Sequence, residues 1–360
     1  MRFLKSITKK QLFLPLFSML LVMLVNIFYD IANGNPFYNF FTISINSQGV
    51  LYGRIIDILN RGSEAAILAI GMTLVVSASA GTDISVGSVM SLAGGVCCVL
   101  LAGFGNVNVN EYAVPLWVGI LAGVLIACLC GAFNGMLVAF LKIQPMVATL
   151  ILFSAGRAIG LLLCNSNIVY VHVDSFKFFG GYCWIFPTPI LITALCVIVV
   201  SLVLKFTALS TYVQAVGINK NAARISGYKS AAIIFICYVI CGLFAGIAGI
   251  TATSRIYSAD TNNIGLNLEM DAILAVALGG NSLGGGKFRL SGSIIGAYTI
   301  QAITTTLYAL GVSSAQAPVF KAIIVILIVA IQSPPVKAYF AKRSAARKAA
   351  ALSVGKEAQA

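Results

Sequence analysis

The chain has 360 residues, 59% hydrophobic and 9% charged, with a formal net charge of +13 and a mean hydropathy of +0.98. A water-soluble domain of this length carries far more charge, so the composition excludes one. The positive excess sits in connections and tails rather than on one folded face, which argues against a nucleic-acid partner.

Apolar runs near the length of a bilayer-crossing helix recur along the chain. Backbone groups in hydrocarbon must bond to one another, which makes these runs helices. The 34 glycines suit close approach of such helices. Ten spans are predicted, at about 11–29, 62–80, 86–104, 114–141, 146–164, 187–205, 230–253, 269–282, 290–311 and 317–333. The first follows a basic start like that of a signal peptide, but it is too long for that role and lacks a small-residue cleavage site; it reads as a retained anchor. The stretch 114–141 is long enough to tilt or break, and 269–282 is short.

Basic residues set the expected orientation. With the N-terminus in the cytoplasm, the inner segments receive 17 of them: Arg2, Lys5, Lys9, Lys10, Lys142, Lys205, Lys220, Arg224, Lys229, Lys287, Arg289, Lys337, Lys342, Arg343, Arg347, Lys348 and Lys356. The outer segments receive four, Arg54, Arg61, Lys177 and Arg255, while Arg157 and Lys321 lie at or within spans. The outer connections are then 30–61, 105–113, 165–186, 254–268 and 312–316, none large enough for a domain. An even number of spans returns the C-terminal tail to the cytoplasm.

Most of the nine cysteines lie in apolar runs, none forms a CxxC, and His172 is the sole histidine, so no zinc-type ligand set is expected. Only Cys164, at the end of the fifth span, and Cys183, in the following outer connection, could both face outward, where a disulfide is one option. Residues 71–101 and 272–303 echo each other, each an apolar helix, a Gly-rich polar break and a small-residue helix; a parallel repeat and chance both account for this.

The connection 214–228, QAVGINKNAARISGY, predicts a short capped helix. Asn219 supplies the N-cap and Gly227 closes the helix in the left-handed conformation. Such a helix is too short to stand alone, and its Ala222-Ala223 pair offers a small surface for docking into a partner's groove. Asp83 sits just before the third span; an N-cap or helix-dipole role competes with substrate contact there. Asn134 and Asn281 lie beside glycines and would either line a polar path or satisfy a backbone break. Ser85 and Thr149 share these regions, and Glu269 and Asp271 open the eighth span as helix N-terminal acids. The stretch 281–288, NSLGGGKF, looks like a Walker A loop, but Asn281 replaces its first glycine, Phe288 its magnesium-holding hydroxyl, and no strand precedes it.

Four ordered blocks resemble the permeases of ribose-type ABC importers. They are GMTLVV at 71–76 leading to GTDISVGS at 81–88, FNGMLV at 133–138 with LKIQPMVATL at 141–150, LEMDAILAV at 268–276, and GGNSLGGG at 279–286. The approach at 54–61 and the outer loop at 259–263 are most similar to galactofuranose-type permeases. Ala80, Thr82 and Ile84 depart from the family pattern. The resemblance implies an all-α membrane protein of about ten spans, with both termini and a coupling helix in the cytoplasm. It implies one permease domain over 1–336 and a basic cytoplasmic tail over 337–360. Gly217, Asn219, Ala222, Ala223, Arg224 and Gly227 match the segment that contacts the ATPase, and Asp83, Ser85, Asn134, Thr149 and Asn281 are candidates for the translocation path or for helix breaks. Implied partners are a cytoplasmic ATP-binding subunit, a second permease subunit (the same chain or a different one), and a periplasmic or lipid-anchored sugar-binding protein. No cofactor is expected on this chain. An ATP-independent transporter or channel is the alternative, though it leaves the capped helix unexplained, and a membrane enzyme lacks a catalytic constellation.

Overall fold

The computed structural model describes residues 13–34, 36–46 and 49–332. The basic start and the tail at 337–360 lie outside the described residues. The helices are α1 Phe13–Ala32, α2 Arg54–Ser79, α3 Val86–Ala102, α4 Leu116–Ala139, α5 Pro145–Leu163, the single turn α6 Asp174–Lys177, α7 Thr188–Phe206, α8 Leu209–Ile218, α9 Lys220–Ile225, α10 Ser230–Arg255, α11 Leu268–Leu278, α12 Leu290–Ala309 and α13 Ala317–Gln332. The chain divides into two compact units, 1–306 and 307–360; the described part of the second holds the last residues of α12 and the apolar α13.

Each predicted span overlaps a helix among the described residues. Among the described residues, six of these helices (α1, α2, α4, α5, α7 and α10) are long and apolar enough to cross a membrane. Two expectations change. The second span starts at Arg54 rather than 62, because 54–61 continues the helix and shortens the first outer connection. The predicted span 269–282 is an 11-residue helix, about 16 Å long and therefore about half of a bilayer core. The long stretch 114–141 contains an unbroken α4.

Burial separates a central helix from a lipid-facing shell. In α2, 94% of the apolar window is enclosed, against 22–28% for α4, α5 and α7. Leu121, Leu125, Leu129, Leu195 and Ile198 are exposed on that shell, where hydrocarbon would cover them. Helix α10 packs against α4, α2 and α3, and α3 against α4 and α5. The α4–α10 crossing is close because Gly131 and Gly242 face each other; a Cβ on Gly131 would meet the Tyr238 carbonyl, and one on Gly242 the Ala127 carbonyl.

The loops gather at two ends. At one, β3 (Asn108–Val109), β4 (Val169–Val171) and β7 (Ser258–Ala259) form a sheet in which β4 lies between a parallel and an antiparallel neighbour. The hairpin of β1 (Ser44–Ile45) and β2 (Leu51–Tyr52) joins the same end through Leu51 N–H donating to Ile185 O (3.0 Å). A second hairpin, β5 (Tyr182–Cys183) and β6 (Phe186–Pro187), completes it. Four predicted outer connections thus share one end. The Cys164 and Cys183 thiols there are free, and Cys164 is buried.

Candidate functional site

At the other end of the helices, the predicted coupling segment is built by α8 and α9. Asn219 is extended (φ −157°), and its side-chain oxygen accepts from the N–H groups of Asn221 and Ala222, both at 3.0 Å. Gly227 (φ +89°) ends the helix in a Schellman arrangement, with Tyr228 N–H donating to Ala223 O and Gly227 N–H to Arg224 O, both 3.0 Å. Local sequence thus supplies a cap at each end of this short element.

Gly217 fixes where the element sits. A Cβ there would collide with Ser77 O of α2 and with Gly286 N. Gly286 N–H itself donates to Ser77 O (3.1 Å), and Ser77 Oγ donates to Lys287 O (2.6 Å). Three backbone segments therefore meet with no room for a side chain: the end of α8, the end of α2 and the 279–289 loop.

The Ala222-Ala223 docking surface needs correction. Ala223 is 5% exposed and packs within the chain's own core, while Ala222 is exposed. Among the residues of α9, Ala223 alone lies on the side that rests against the protein, and the rest of the helix circumference is exposed. The outward apolar groups are instead Ile218 and Ile225, 75% and 89% exposed, beside the exposed Lys220 and Arg224.

Asp83, Ser85, Asn134 and Thr149 come together. Asp83 Oδ1 accepts from Ser85 N–H (2.9 Å) and Ser85 Oγ–H (2.6 Å) just before α3. Asn134 Nδ2 of α4 donates to Ser85 Oγ (2.8 Å) and reaches Asp83 Oδ2 at 3.5 Å. Thr149 Oγ1 of α5 accepts from Ile84 N–H (3.2 Å) and donates to Pro145 O (3.0 Å). Burial pushes the Asp83 carboxyl pKa up, and the hydrogen bonds from Ser85 and Asn134 oppose that shift. These groups tie three helices together at the α2–α3 break.

Asn281 lies apart from that cluster, in the other break. Its Nδ2 donates to Arg289 O (3.1 Å) and Ser293 Oγ (2.8 Å), and its Oδ1 accepts from Arg289 N–H (2.7 Å), which closes the 281–289 loop. Thr73 Oγ1 of α2 meets Ser293 Oγ at 2.7 Å. The second break is therefore packed against the end of α2 that leads into the first.

Sequence reasoning missed a second polar group near the sheeted end. Glu64 of α2 faces Arg255 of α10, with Oε1 and Nη2 3.2 Å apart and both side chains largely buried. The signal was available, because Glu64 is a lone acid within the apolar run of α2. Arg157 was left unassigned; its Nη1 donates to the carbonyls of Thr261 (2.7 Å), Asn262 (2.6 Å) and Ile264 (3.1 Å), which positions the 260–268 loop.

Comparison with known proteins bears on both ends. Residues 54–332 match a family described as the permease component of branched-chain amino acid transport systems. The galactofuranose transporter permease protein of Escherichia coli is 42% identical over 287 residues, covering 79% of this chain and 81% of that protein. The fructose import permease protein of Bifidobacterium longum is 38% identical over 88% of each chain. The ribose import permease protein of Escherichia coli is 35% identical, over 82% of this chain and 87% of its own length.

Proposed function

The chain belongs to this family of transport-system permeases, a multi-pass protein of the bacterial inner membrane, and from that premise we propose that it forms one half of the path of an ABC importer for a monosaccharide such as galactofuranose, fructose or ribose. A separate cytoplasmic ATPase drives it, a second permease subunit completes the path, and a sugar-binding protein delivers solute to the outer face. Both termini and α9 lie in the cytoplasm, and ten segments, α11 contributing only part of a span, make up the membrane domain.

One observation carries the coupling: α9 is largely exposed, capped at both ends and joined at Asn219 to α8, whose Gly217 sits directly on the backbone of α2 and of the 279–289 loop. A partner that moves α9 therefore moves α2 without slack, since no flexible side chain intervenes. Helix α2 is about 39 Å long, so a tilt imposed at Ser77 reaches Arg54 at the other end.

The test is uptake of labelled galactofuranose, fructose and ribose into proteoliposomes holding this chain with its ATPase and binding protein. Uptake of at least one sugar that requires internal ATP is expected. Uptake by this chain alone, or collapse under an uncoupler with ATP held constant, would overturn the reading in favour of an ATP-independent carrier.

A further inference from the structure

A cavity of about 260 Å³ lies beside Glu64, some thirteen residues along α2 from the Ser77 contact. It falls just below the roughly 300–1,000 Å³ typical of small-molecule sites, with room for a single ring. Its polar wall is Glu64, Arg255, Asp260 and Asn263, and its apolar wall includes Met90 and Leu266. Four segments contribute: α2, α3, α10 and the 260–268 loop.

Behind the polar wall, the Glu64–Arg255 pair is incompletely satisfied by the protein, at atoms enclosed from the cavity itself. Arg255 Nη2 donates to Asn60 O (2.9 Å) and approaches Glu64 Oε1, but neither Glu64 Oε1 nor Arg255 Nε, both enclosed, has a hydrogen-bond partner. The ion pair is therefore close but poorly aligned. A buried polar atom left in this way is costly unless something satisfies it. The loop wall, in contrast, is fixed. Arg157 holds three of its carbonyls, while Asp260 accepts from Asn263 Nδ2 (2.7 Å) and from the N–H groups of Asn262 (3.2 Å) and Asn263 (3.3 Å).

Adjoining donors and acceptors beside an apolar face suit a solute whose hydroxyls both donate and accept and whose C–H faces are greasy. The lining carboxylates Glu64 and Asp260 are matched by arginines, Arg255 on the wall with Arg61 and Arg157 within electrostatic reach, so no unpaired charge is left to select an ionised solute. Resting on the sugar-importer reading above, we infer that this cavity is a station for a neutral monosaccharide in transit, with Glu64 accepting and Arg255 and Asn263 donating hydrogen bonds to its hydroxyls. Because Glu64 is carried on α2, a tilt of that helix changes the cavity as it moves the coupling end.

The test uses the assembled transporter in proteoliposomes, with sugar uptake and ATP hydrolysis measured together. Glu64→Gln and Asn263→Ala are expected to lower sugar moved per ATP hydrolysed by about tenfold, while hydrolysis stimulated by sugar-loaded binding protein persists. Unchanged sugar per ATP in both variants overturns the station. Direct occupancy decides the case where a variant loses hydrolysis as well. Asn263→Cys, placed in a Cys183→Ser background, is labelled with a hydrophilic maleimide; saturating galactofuranose, fructose or ribose, whichever is transported, slows labelling, and an unaffected rate overturns the station. Should the wild-type transporter move none of these sugars, it is the sugar-importer reading that fails.

Discussion

Removing the Asp83 carboxylate would leave the Ser85 N–H and hydroxyl without an acceptor inside the protein. Unsatisfied buried donors of this kind cost about 1–3 kcal/mol, a large share of a domain's net stability. Asp83→Ala is therefore expected to lower the thermal midpoint of the detergent-purified protein by several degrees. Asp83→Asn, which keeps an acceptor oxygen in place, should lose less. Equal losses would refute the capping role and reopen direct solute contact for this residue. Two glycines of the coupling segment give a sharper contrast. Gly227 has positive φ but open space around it, so Gly227→Ala costs about 1 kcal/mol of local strain. Gly217 has ordinary dihedrals, but a Cβ there strikes two backbone atoms that no rotamer change can move. Gly217→Ala should abolish coupled uptake while Gly227→Ala retains most of it; the reverse order in the uptake assay would refute the seating of α8. Sequence could flag both glycines but not rank them, because the neighbour that matters to Gly217 lies 140 residues away, at Ser77.

At the level of elements, local rules were readable and long-range partners were not. The cap residues of α9 were legible because Asn219 and Gly227 act on their own backbone within a few positions. The side that α9 turns outward was not, since it depends on what lies beneath, and Ala223 faces the core. The same limit hid the Glu64–Arg255 pair, whose members lie on α2 and α10 and are apposed only by packing. A consequence is testable by co-purification with the ATPase. Ile225→Glu places a carboxylate on an already exposed position, so the chain should fold and insert normally but lose most of the captured ATPase subunit. Ala223→Glu buries a charge in the chain's own core, which costs several kcal/mol unless paired, so it should reduce the amount of folded protein itself. Normal ATPase capture by Ile225→Glu would remove the exposed isoleucine from the interface.

Across the whole molecule, the predicted partition of loops into two sides corresponds to two physical clusters. The β3–β4–β7 sheet and the β1–β2 hairpin hold one set together. The contacts of Gly217, Ser77 and Gly286 hold part of the other. Chain geometry does not say which cluster faces the cytoplasm; the expectation that the second does rests on its basic residues Lys220, Arg224, Lys229, Lys287 and Arg289. Trp184, 91% exposed on the β5–β6 hairpin, and the exposed Lys229 mark the two ends. In a Cys183→Ser background, Trp184→Cys should react with an impermeant maleimide added outside spheroplasts, and Lys229→Cys only after the membrane is opened. The two results are linked, because one rigid α2 runs between the clusters and both cannot lie on the same face. If Lys229→Cys is labelled from outside, α9 would be out of reach of any cytoplasmic ATPase, and the importer would have to be replaced by a carrier without one.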